Sequence, residues 1–134
     1  MKKIALPVVG AIVFLALMLT FNFIVPTKVT ATDEAITKLR IFDGNTGTET
    51  IITDEAQIET FVAMLNDITF LKSGVSLGYV GYSYDVTYYT ANGDKVQRFI
   101  ITNDETVRSN GFFYTAKNKK IDYEYVERMT TSNE

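Results

Sequence analysis

The chain has 134 residues and a formal net charge of −3, and it contains neither cysteine nor histidine. The first absence removes disulfides, thiolate nucleophiles and cysteine-type zinc sites, and the second removes the commonest general base and metal ligand. Lys2, Lys3 and Lys28 are the only charged residues before Thr32, so the rest sets ten basic side chains against all 16 acidic ones, a formal −6; a surface of that sign repels phosphate backbones and argues against nucleic acid as a partner.

Lys2 and Lys3 precede an uncharged run from Ile4 to Val25, interrupted only by Pro7, Gly10, Thr20 and Asn22. A helix over those residues would measure about 33 Å, enough to cross the hydrocarbon core of a bilayer. The two lysines fit the positive-inside rule, which places the following residues outside. Ala11 to Leu19 has no polar face, as a core helix of a soluble domain would need. Pro26 ends the run, and Val29-Thr30-Ala31 has small residues where a signal peptidase would read them, which favours cleavage after Ala31. The run is longer than a usual signal core, so an uncleaved anchor is the alternative. Residues 1–31 are therefore read as signal peptide or membrane anchor, and 32–134 as a single extracytoplasmic domain, secreted or held at the cytoplasmic membrane. Those 103 residues suffice for one core without a staple.

Ala35 to Phe42 alternates as a strand, and Asp43-Gly44-Asn45-Thr46-Gly47 turns into a short returning strand at Glu49 to Ile52. The period then changes: Ile58, Phe61, Val62, Leu65 and Ile68 make one face of a helix, with Thr53 or Asp54 as cap, Asp54 and Glu55 suited to the positive end of its dipole, and Gln57 completing a box with Asp54. Thr69 to Gly81, with Gly74, Gly78 and Gly81, reads as a mobile loop. Tyr82 to Thr90 and Lys95 to Thr102 alternate on either side of Asn92-Gly93, the preferred pair for a type I′ hairpin turn. That register sets Val86 opposite Phe99, Tyr84 opposite Ile101, Thr87 opposite Arg98 and Asp85 opposite Ile100, with Asp85 diagonal to Arg98. Asn110-Gly111 joins Thr106–Ser109 to Phe112–Thr115 in the same manner, opposing Val107 to Tyr114. Ile121 to Met129 reads as a short closing helix capped by Asp122. The order β-β-α-β-β-β-β-α predicts an α+β fold, a mostly antiparallel sheet with helices on one face.

Several of these segments resemble a known group of proteins. Ile52-Thr53-Asp54-Glu55-Ala56-Gln57-Ile58, Gly81-Tyr82-Ser83-Tyr84-Asp85-Val86 and Asn92-Gly93 are followed by Phe99-Ile100-Ile101, Asn110-Gly111-Phe112-Phe113-Tyr114 and Ile121-Asp122-Tyr123-Glu124-Tyr125. In this order they resemble small exported domains of uncharacterised function from low-GC Gram-positive bacteria. The likeness spans Ile51 to Arg128 and leaves out Ala35 to Glu49. It rests on turn and core residues, so it implies fold and compartment and carries over no catalytic residue.

Tyrosines and phenylalanines crowd the two hairpins. Packing accounts for most of them, while Tyr79, Tyr82, Tyr89 and Phe113 form the candidate binding surface, the last two on the sheet face away from the helices. The acidic and amide groups of Asp43 to Glu49 miss the spacing of a calcium loop and read as a turn. Asp104, Glu105, Asp122 and Glu124 would serve as acid and base only if folding paired them, and Asp104 and Asp122 suit a turn and a cap instead. No nucleophile motif and no phosphate loop occurs, so no catalytic, cofactor or metal residue is assigned.

These features predict a non-catalytic extracytoplasmic interaction domain, its partner a protein, a peptide or an envelope polymer met through the hairpin surface and the glycine-rich loop. The alternatives are an envelope glycan hydrolase with paired carboxylates, and the sensor or inhibitor part of a membrane-tethered system.

Overall fold

The computed structural model describes residues 2–81 and 83–132, the side chains of Lys2 and Ile4 left aside. Helix α1 (Lys2–Ile24) is followed by β1 (Lys38–Asp43), β2 (Thr48–Ile52), α2 (Glu55–Asn66), β3 (Phe70–Val75), β4 (Tyr84–Tyr89), β5 (Lys95–Ile101), β6 (Thr106–Ser109), β7 (Phe112–Ala116) and α3 (Tyr123–Thr131). The strands form one antiparallel sheet in the order β2-β1-β4-β5-β6-β7-β3. This is the α+β fold expected, with β4 to β7 as a meander of neighbours.

Strand β3 is the addition. It occupies part of the stretch read as a loop, because Leu71, Lys72, Ser73 and Gly74 give no alternation to read. It pairs with β7 at the far edge, its register broken between Lys72 and Gly74. A strand at an edge needs one hydrogen-bonded neighbour and tolerates glycine and an irregular face. Helix α2 thus carries the chain from the β2 edge to the β3 edge, and the chain returns after β3 to β4, inside the sheet beside β1.

The two Asn-Gly pairs fold differently. Asn110 (φ 51°) and Gly111 (φ 86°) both take positive φ, the type I′ turn predicted. In the first hairpin only Gly93 (φ 82°) does so, and its N–H donates to Thr90 O while Thr90 N–H donates to Asp94 O. That is a three-residue turn ending on a left-handed glycine, not the type I′ turn expected. A register shift beyond Tyr88 leaves Val96 as the extra residue, and it offsets the longer turn. Val86 therefore still faces Phe99, and Tyr84 still faces Ile101.

Alternation sends Leu39, Ile41, Tyr84, Val86, Tyr88, Phe99, Ile101, Val107 and Tyr114 to one face, where all are buried. Helices α2 and α3 cover that face. Phe61 of α2 meets Tyr88 edge-on at 6.3 Å, and Tyr123 of α3 meets Tyr84 at 5.3 Å. Both helices start where predicted, with Asp54 and not Thr53 capping α2: Asp54 accepts from Gln57 N–H and Asp122 from Tyr125 N–H.

The chain ahead of β1 also belongs to this packing. Thr27 pairs with Phe70 on the outer edge of β3, through bonds of 2.8 and 2.7 Å. Thr30 is fully buried, its hydroxyl donating to Leu65 O and its carbonyl accepting from Tyr88 OH. Gln97 Nε2 donates to Val29 O, Lys28 Nζ to Asn66 O, and Thr32 exchanges two bonds with the Asn66 amide. The sequence gives no sign of this, since Val29-Thr30-Ala31 has the composition of a cleavage site.

Buried phenols make the fold sensitive to alkali. Burial, with the charge of Asp43 adding to it, pushes Tyr84 from 10.0 up to about 12, and burial alone raises Tyr88. An acid whose folded pKa is raised stabilises the fold fully below its unfolded pKa and loses that contribution as pH climbs through the folded value. The urea midpoint should therefore fall between about pH 10 and pH 12, in step with tyrosinate absorbance. Tyr84→Phe should shrink that fall; an unchanged fall would count against this cause.

Candidate functional site

The face of the sheet away from the helices is tied up by charge pairs. Arg98 Nε and Nη2 donate to the two oxygens of Asp85 at 3.0 and 2.7 Å, the diagonal contact expected from the register. Arg40 reaches Glu49 across β1 and β2 at 3.2 Å. Thr87, between them, is only 2% exposed on a face that no helix covers. Long paired side chains close over this face, in place of a row of aromatic rings.

The predicted aromatic residues fall into separate places. Tyr79 stands edge-on against Phe113 at 5.3 Å, and the Arg108 guanidinium lies 4.7 Å from the Tyr79 ring while donating to Tyr79 O and Gly81 O. This cluster fastens Tyr79 and Gly81 to β6 and β7. Tyr89 does point to the same face, but it lies three strands from Phe113 and further along the sheet, a separation on the order of 19 Å. There the ammonium of Lys38 covers its ring at 4.2 Å. Tyr82 lies outside the described residues. Tyr84, Tyr88 and Tyr114 are buried core.

The carboxylates singled out by the sequence are engaged locally. Asp43 accepts from Asn45 N–H within the β1–β2 turn. Asp104 and Glu105 share the Lys120 ammonium at 3.4 and 3.2 Å, and its bond to Glu105, with Asp104 beside it, raises the Lys120 pKa. Asp122 caps α3. Among the described residues no group of three or more acidic side chains is placed to hold a metal ion.

A concave site lies elsewhere. A groove of ≈ 630 Å³ opens between α2 and residues 34–37, just ahead of β1. Strand β2 ends at Ile52 opposite Leu39, so the sheet stops covering this flank and α2 forms the other wall. Ala35, Ile36, Ile58, Val62 and Ala63 make an apolar lining, and Glu34, Glu55 and Glu59 bring carboxylates to it. No lysine or arginine lines it. Glu55 and Glu59 are one turn apart on α2, so their carboxylates share a flank of the helix. Sequence reasoning missed the groove. Val62 was legible as part of the apolar face of α2 and Glu55 as a complement to its dipole, but the opposing segment comes from 20 residues earlier.

Protein-family models, curated proteins and solved structures were compared with the chain, and none matches.

Proposed function

We propose that the chain is a non-catalytic interaction domain, held on the outer side of a membrane by α1, that takes a cationic, partly apolar segment of a protein partner in the groove between α2 and residues 34–37. The observation that carries the reading is the lining itself: an apolar floor, three carboxylates and no compensating base. Such a groove attracts lysine or arginine side chains to its rim and buries the aliphatic residues between them. The overall acidity beyond Thr32 favours the same partner.

Helix α1 supports the tether. Ala5–Ile24 is long and apolar enough to span a bilayer, and none of it is buried in the fold. Retention is favoured over cleavage after Ala31, because Thr27 to Thr30 are hydrogen-bonded into the domain. The resemblance to small exported domains points to the same compartment.

The test is binding of short labelled peptides to the full chain in nonionic detergent micelles. A peptide of alternating lysine and leucine should bind, and its glutamate counterpart should not. Reversing two rim charges with Glu55→Lys and Glu59→Lys should cost about 1–2 kcal/mol, a roughly tenfold loss of affinity. Affinity unchanged by that double substitution would overturn the assignment of the groove.

A further inference from the structure

Among the described residues outside 2–25, the exposed large apolar side chains are Ile51, Val75, Leu77, Tyr79 and Val80, so four of the five lie within six consecutive residues. Val75, Leu77 and Val80 are 60%, 80% and 88% exposed. The stretch from Ser73 to Ser83 contains no charged residue at all, in a chain where 22% of residues are charged. An apolar, uncharged, glycine-bearing loop standing in water is unfavourable unless something covers it.

Its position relative to α1 says what that is. Thr27 pairs antiparallel with Phe70, so the chain traced back from Thr27 runs along β3 in the direction of Val75. Phe23, in the last turn of α1, reaches Phe112 at 6.4 Å, and Phe112 is the register partner of Val75. The N–H of Ser76 donates to Gly111 O, and Leu77 lies over Gly111, so the loop begins beside the same turn. Only Val25 and Pro26 separate the end of α1 from the first bond of the domain at Thr27, a span of about 10 Å at most. A membrane holding α1 therefore comes up against this corner of the domain.

We propose that residues 75–80 rest in the headgroup layer of the bilayer that α1 crosses, with Val75, Leu77 and Val80 in contact with lipid and Tyr79 at the interface. The inference rests on the tether reading above. The loop brings no charge of its own to the bilayer, the Arg108 guanidinium on the Tyr79 ring is already hydrogen-bonded to Tyr79 O and Gly81 O, and tyrosine is suited to that depth. With α1 already in place, contact of the loop is an intramolecular event that needs little affinity of its own.

The chain has no cysteine, so one introduced thiol carries a unique fluorophore. Full-length protein in zwitterionic phospholipid vesicles would be labelled singly through Leu77→Cys, Val80→Cys, Leu15→Cys in α1, or Glu127→Cys on α3. Quenching by nitroxide-bearing lipid should be at least about twofold stronger at positions 77 and 80 than at 127, with iodide quenching in the reverse order. Lipid quenching at 15 with iodide access at 77 and 80 equal to that at 127 would overturn the loop contact and leave the tether standing. No lipid quenching at 15 would remove the tether, and the loop contact with it. Positions 77 and 80 shielded from both quenchers would mean that protein covers them, which also overturns the proposal.

Discussion

A chain trimmed to begin at Thr32 should melt about 20 °C or more below one that begins at Pro26, or fail to fold. Trimming removes both bonds between Thr27 and Phe70, the donor to Leu65 O, the acceptor of Tyr88 OH and the acceptor of Gln97. Phe70, Leu65 and Tyr88 are fully buried, so groups left unpaired there forfeit about 1–3 kcal/mol each where water does not replace the bond. Loss of the buried Thr30 side chain adds a cavity beside Tyr88. Together these effects come to about 5 kcal/mol, the lower end of the entire stability of a domain this size. Thermal melts of the two chains by circular dichroism decide the matter. Equal melting would make residues 26–31 dispensable and restore Ala31 as the edge of the domain.

The second large effect is expected at Phe61. Its side chain is fully buried on α2 and meets Tyr88, whose ring in turn stands edge-on to Phe99 at 5.5 Å. Phe61→Ala should cost about 3–5 kcal/mol, because these neighbours are held by the helix and the sheet and cannot all close on the space. Glu59→Ala, exposed two residues away, should stay within about 0.5 kcal/mol. Urea denaturation of both variants measures the contrast. Similar midpoints would show that α2 is not the centre of the core.

Local signals were the legible ones. The i, i+3, i+7 spacing of Ile58, Phe61 and Leu65 identified the buried face of α2, and Asp54 and Asp122 marked the helix starts because each cap is complete within four residues. Alternation about the two Asn-Gly pairs determined which residues face each other from β4 to β7, even though one turn closed differently. What escaped the sequence depends on distant partners. Strand β3 exists because β7 offers it an edge, and its own residues carry no period. Thr30 is buried because Leu65 and Tyr88, 35 and 58 residues later, supply its partners. The groove is a gap between α2 and a segment of unremarkable composition. The aromatic surface failed as a unit for the same reason: Phe113 and Tyr89 share a face, but the distance between them is set by the number of strands lying between.

Pairing of Thr27 with Phe70 also bears on self-association. The β3 margin of the sheet is paired at Phe70 and flanked by the last turn of α1, whereas among the described residues no strand pairs with the outer side of β2. Polymerisation by strand addition needs two sticky sides per molecule, one for each neighbour in the stack. A strand adding at the start of β3 would have to displace Thr27 from Phe70, so the residues that join the domain to its helix also guard that end of the sheet against edge-to-edge growth.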